Sequence, residues 1–259
     1  MKARRNICLV LAYDGTCYHG WQNQKELPTI QAVCEEKIAR LSGEKAVLYG
    51  AGRTDAGVHA LGQVANFYTG TKIPCAGLKQ GLNSLLPPDI RVVSARDKEE
   101  NFHAQYSAQG KSYIFRLAYG AVHLPTERLY SVFVPGDLDV LAMKACLMSL
   151  AGVHDFASFA ASGSADYAHT GKGFTREIFS ASLDVEPARQ SCLRIEISGD
   201  GFLRHMVRNI VGTLVEVGRG RWSINDFFTI MAARDRTKAG PTAPAQGLFL
   251  YKVLYKDFL

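Results

Sequence analysis

Residues 50–60, Gly-Ala-Gly-Arg-Thr-Asp-Ala-Gly-Val-His-Ala, constrain the fold of this chain more tightly than any other stretch. Strand-like apolar runs bound them, Ala46-Val47-Leu48-Tyr49 before and Val64-Ala65-Asn66-Phe67-Tyr68 after. Small residues let backbone approach backbone, or a ligand, without steric conflict. Two strands must therefore close through a crowded, rigid turn. That turn carries an acid, Asp55, and a base, Arg53. Their ordinary roles would be an Asx-turn and a surface ion pair.

The rest of the pattern is regular. Residues 6–13 read as a strand covered on both faces. A polar and aromatic loop follows, and then a helix with Thr29 as N-cap, Ile30, Val33, Cys34, Ile38 and Leu41 at helical spacing, and Gly43 as C-cap. Strands are expected at 46–51 and 62–68, a helix at 75–86 stopped by Pro87-Pro88, and a strand at 89–96. The order is β-α-β-β-α-β. The second half repeats it, with a strand at 111–119, a helix at 137–150 opened by Asp137 or Asp139, and strands at 175–186 and 191–198. Helices at 201–217 and 223–234 and a closing strand at 247–254 complete it. The expected fold class is α+β, two tandem ferredoxin-like halves. They would share a largely antiparallel sheet with a central cleft, the halves spanning residues 1–104 and 105–259. Residues 151–173 exceed ordinary loop length, which makes them a candidate binding loop.

Composition narrows the function classes. The formal net charge of +6 suits a polyanionic partner but also serves plain solubility. Six scattered cysteines show no zinc spacing and, in a chain with this much core, suggest free thiols in a reducing cytoplasm. The apolar run after Met1-Lys2-Ala3-Arg4-Arg5 is too short for an export segment, and no stretch approaches transmembrane length. The central turn lacks the third glycine of a dinucleotide fingerprint and the Gly-Lys-Ser/Thr of a P-loop. No Gly-x-Ser-x-Gly elbow occurs. A phosphate-binding metabolic enzyme has no motif here, and a carboxylate remains the best reactive group. In helix 201–217, Arg204 and Arg208 sit four apart at the edge of the stripe Leu203, Met206, Val207, Ile210, Val211 and Leu214. There they could form surface ion pairs or aim into a cleft. Arg219, Arg221, Arg234, Arg236 and Lys238 could form a basic rim or a solvated face.

Gly50 to Phe67, GAGRTDAGVHALGQVANF, closely resembles the tRNA pseudouridine synthases of the TruA type. Further blocks match in order: Tyr13 to Gln22 (YDGTCYHGWQ), Leu86 to Val92 (LPPDIRV), Phe102 to Ala108 (FHAQYSA), Met206 to Leu214 (MVRNIVGTL) and Gly240 to Leu248 (GPTAPAQGL). Gln105 stands where the family commonly has Arg, and Arg204 and His205 where aromatic or other residues often precede the methionine. The resemblance implies a cytoplasmic homodimer that isomerises uridine to pseudouridine in the tRNA anticodon arm, at tRNA positions 38, 39 and 40, with no cofactor and no metal. It implies Asp55 as the catalytic aspartate, Tyr113 as the tyrosine that stacks on the target base, and Arg208 as the arginine paired with the aspartate. Arg53, His59 and Leu248 join Tyr113 in the implied substrate-binding set. The carboxylate could act as nucleophile at C1′ or at C6 of the base, or as a base removing the 2′ proton. The alternative is a non-catalytic tRNA-binding module or tRNA-folding chaperone of the same fold, which would lack Asp55, Tyr113 or Arg208.

Overall fold

The computed structural model describes residues 4–161, 173–186 and 191–256. The protein is α+β, and its Cα packing separates two compact units, Met1–Gln109 with Phe249–Leu259, and Gly110–Leu248.

In the first unit, β1 (Arg5–Tyr13) lies between two antiparallel neighbours, β3 (His59–Thr69) and β4 (Ile90–Lys98). On one face of β1, Ile7, Leu9, Leu11 and Tyr13 are buried; on the other, Asn6 and Cys8 are buried while Val10 and Ala12 are half-buried. α1 (Ile30–Ser42) starts where Thr29 accepts from the Ala32 N–H and stops at Gly43, whose φ of 74° belongs to the left-handed region. α2 (Cys75–Leu85) packs on β4. The first unit thus has the expected order, with one difference: the second strand, expected over 46–51, is only β2 (Tyr49–Gly50). Side chains of α1 compete for the backbone there. Glu35 accepts the Leu48 N–H at 2.9 Å, and Gln31 donates to the Leu48 carbonyl at 3.1 Å. The last strand, β10 (Leu248–Leu254), runs parallel to β3 in this unit, with Phe249 opposite His59 and Leu250 opposite Ala60.

In the second unit, β5 (Gly110–Gly120), β9 (Cys192–Gly199), β8 (Thr175–Val185) and β7 (Gly152–Asp155) form an antiparallel series, with β6 (Val132–Pro135) parallel to β5. Neither β6 nor β7 is visible in the sequence, because four residues are too few to display a period. β7 and a short 3-10 turn, Ala157–Phe159, occupy the start of the segment expected to be irregular. Residues 162–172 of that candidate binding loop lie outside the described residues. α3 (Val140–Met148) is capped by Asp139, which accepts the Ala142 N–H. α5 (Ile224–Ala233) opens with a capping box between Ser223 and Asp226.

α4 (Met206–Gly218) is the core helix of this unit, with Ile210, Val211 and Leu214 fully buried. It begins five residues later than the sequence suggests, because His205 sits at φ 61° and ψ 0°, a left-handed conformation a helix cannot pass through. Arg204 therefore lies before the helix and is exposed, so it does not share a helical face with Arg208.

Gly212 sits where α4 meets residues 240–243. A Cβ there would fall inside the Pro241 carbonyl group. Alanine favours a helix over glycine by about 1 kcal/mol, but forced overpacking costs about 1–3 kcal/mol and occasionally more. Backbone, not a flexible side chain, supplies this clash, so overpacking prevails. Gly212→Ala should lower unfolding stability by about 2 kcal/mol in urea titration.

Candidate active site

Asp55 is mounted on a turn that the Tyr13–Gln22 segment grips from outside. Thr54, next to it, is buried, and its hydroxyl bonds the buried Tyr13 hydroxyl at 2.8 Å. The Thr54 carbonyl accepts the Trp21 N–H at 3.1 Å, and the Asp55 carbonyl accepts the Val58 N–H at 3.1 Å. Gly57, at φ 76°, donates to the Tyr18 carbonyl at 3.3 Å. Two glycines bring the gripping segment this close. A Cβ at Gly20, which also has φ 84°, would strike the Thr54 carbonyl, and one at Gly15 would strike that of Val58. On the inner side, Ala51 donates to Val64, and the Gln63 amide donates to the Gly52 carbonyl at 2.8 Å. The Gln63 Oε1 is enclosed without a hydrogen-bond partner.

The turn is thus a fixed scaffold. Asp55 is half-buried upon it, and Arg53 is exposed. His59 lies underneath, 1% exposed, stacked on Phe249 with ring centroids 4.7 Å apart. Its Nδ1 is 3.0 Å from the Gly15 N–H and 3.1 Å from the Asp14 carboxylate. Asp14 also accepts from the backbone N–H and hydroxyl of Thr16. His59 is therefore placed in the support of the turn. The Tyr18 hydroxyl donates to Asp89 at 2.8 Å, and burial followed by that carboxylate holds its phenol well above the usual tyrosine range.

The remaining sequence-expected residues stand on the second unit. Tyr113 is on β5 opposite Ile197, 9% exposed, its ring edge-on to Phe202 at 5.0 Å. Arg208 is half-buried in the first turn of α4. Its Nε donates to the Ala243 carbonyl at 2.7 Å, and Ala243 N–H returns a bond to the Arg208 carbonyl at 3.1 Å. Leu248 is buried at the start of β10, after a short 3-10 turn, Ala245–Gly247, pressed on the Phe115 ring. The supporting residues Tyr13, Gly15, Gly20 and Trp21 could not be told from ordinary core by periodicity; only the matching block at 13–22 marked them. Of the expected basic rim, Arg219 and Arg221 both bond Glu216, at 3.3 and 2.9 Å, and Arg234 pairs with Asp155 at 3.2 Å. Among the described residues no group of three or more His, Cys, Asp or Glu side chains is placed to hold a metal ion, and no helix is long and apolar enough to cross a membrane.

Comparison with known proteins bears on this arrangement. The family described as tRNA pseudouridine synthase matches residues 9–107 and 147–256. The chain is 46% identical over 252 residues to tRNA pseudouridine synthase A 1 of Desulfotalea psychrophila, covering 97% of this chain and 100% of that one. It is 45% identical over 251 residues to tRNA pseudouridine synthase A of Thermoanaerobacter sp., with the same coverage of 97% and 100%. Against the protein of that name from Acetivibrio thermocellus the identity is 43% over 251 residues. Matches of this length and level leave no other assignment, and the chain belongs to the tRNA pseudouridine synthase family.

Proposed function

We propose that this protein isomerises uridine to pseudouridine in the anticodon arm of tRNA, at positions 38, 39 and 40, and that Asp55 supplies the reacting carboxylate. The observation that carries the proposal is an acid held on a doubly gripped turn, inside residues 9–107, the first of the two segments that match the family. In the reaction the N1–C1′ bond breaks, the uracil turns, and C5 bonds C1′. The C5 proton leaves and N1 gains one, so nothing is added overall. An ionised carboxylate handles the electron-poor sugar or the activated pyrimidine.

Arg208 pairs with Asp55 and orients its carboxylate. Tyr113 presents its ring to the uracil and its hydroxyl to the departing proton. Leu248 lines the base pocket, and Arg53, exposed beside Asp55, guides the everted nucleotide. His59 contributes from beneath, by fixing the turn. Everting a base costs about a few kcal/mol, which phosphate contacts offset. The enzyme acts as a homodimer in the cytoplasm and needs neither cofactor nor metal.

Two variants test the assignment. Asp55→Asn should abolish tritium release from tRNA labelled at uridine C5 while tRNA binding persists; near-normal release would refute the role of Asp55. Tyr13→Phe removes the bond to Thr54 without changing ring packing. It should lower kcat about tenfold with KM for tRNA little changed, because the loosened turn misplaces a group used in the transition state. Steady-state kinetics on folded protein would check the split.

A further inference from the structure

We infer that the second unit holds a phosphate-binding site of its own, in a cavity of about 240 Å³ lined by Ala161, Arg204, His205, Arg236 and Thr242, and that a backbone phosphate of the RNA substrate occupies it. The inference rests on the proposed function for its ligand, but the site stands on its own chemistry.

Arg236 is the central observation. Its guanidinium is half-buried, and every bond it makes is to a neutral acceptor: the Ala239 carbonyl at 3.2 Å, the Asn209 side-chain oxygen at 3.1 Å and the Thr242 hydroxyl at 3.1 Å. Among the described residues no carboxylate lies within ion-pair distance of it. The neighbouring Asp235 turns its carboxylate to the backbone N–H and hydroxyl of Thr237 instead. Burial pulls the Arg236 pKa below its usual value, the mark of a cation short of solvent and counter-charge. Such a group is expensive unless an anion meets it.

The surroundings favour that anion. Asn209 is fully buried and locked, its amide donating to the Phe159 carbonyl at 2.8 Å and its oxygen accepting from Thr242 at 2.7 Å. The Arg236 fork is therefore preorganised rather than mobile. Arg204 brings a second permanent cation to the wall. His205 begins α4, so the positive end of that helix dipole lies at the same wall. A phosphodiester group fits the size and the charge, and it carries no sequence information, as a positioning contact should.

Titration of tRNA binding between about 50 and 200 mM KCl tests the site. Arg204→Gln should weaken binding several-fold and reduce the salt slope by about 1, and Arg204→Lys should restore the slope. Arg236→Lys keeps the charge but loses the fork, and should weaken binding at every salt concentration. Inorganic phosphate should compete with tRNA for the wild type and less well for Arg204→Gln. Wild-type affinity, slope and phosphate competition in Arg204→Gln would overturn the inference. Arg204 is exposed, so this holds even if substitutions at Arg236 do not fold. Phosphate competition without uridine isomerisation by the wild type would refute the proposed function and leave the site standing. Isomerisation with no change in slope would do the reverse.

Discussion

The turn bearing Asp55 depends on one buried contact, the bond between the hydroxyls of Tyr13 and Thr54. A bond of this kind adds about 1 kcal/mol net, too little to explain a fold. Its value lies in where it acts. Thr54 is tied through its side chain by Tyr13 and through its carbonyl by Trp21, so the residue before Asp55 has no freedom left. Gly15 and Gly20 make the contact possible, since any side chain there would push the gripping segment off the turn. Residues 13–22 and 50–60 are far apart in sequence but form one device.

The sequence exposed some of this and hid the rest for identifiable reasons. β1, α1, α2 and β4 are long and periodic, and Thr29 and Gly43 bracket α1 with ordinary cap chemistry, so they could be read directly. β2 could not, because its apolar run looks like a strand while Gln31 and Glu35 claim the Leu48 backbone. The start of α4 could not either. Histidine enters the left-handed region more readily than most residues, but nothing in the sequence singles out His205, and the apolar stripe continues on either side of it. Asp55 stands out as a candidate from a Gly-rich turn and a family block. His59 was legible as part of that block, but not its burial beneath the turn, which depends on a ring, Phe249, almost two hundred residues away.

Charge shows the same limit. The net charge of +6 suggests a polyanion but names no residue. The structure sorts the arginines by what they already hold. Arg219 and Arg221 are committed to Glu216, whose carboxylate lies mostly buried on α4, and exposed Arg234 reaches Asp155. The pair made by exposed Arg234 contributes little to stability. A guanidinium held by neutral oxygens is different, since its charge is still to be met.

That difference gives residues 240–243 a purpose beyond linking α5 to β10. The Ala243 carbonyl fixes Arg208 and the Thr242 hydroxyl fixes Arg236, so a single short segment positions two guanidinium groups. It can do so only by lying directly on α4, where Gly240 donates to Thr213 at 3.0 Å and Gly212 leaves room for Pro241. α4 is buried along almost its whole length, which leaves its first turn as the part available for chemistry. A small residue deep in the helix therefore bears on function at the helix start. Widening the gap at Gly212 would displace both cations together, and that shared mounting is the physical reason a glycine is needed in the middle of a helix that would otherwise be more stable without it.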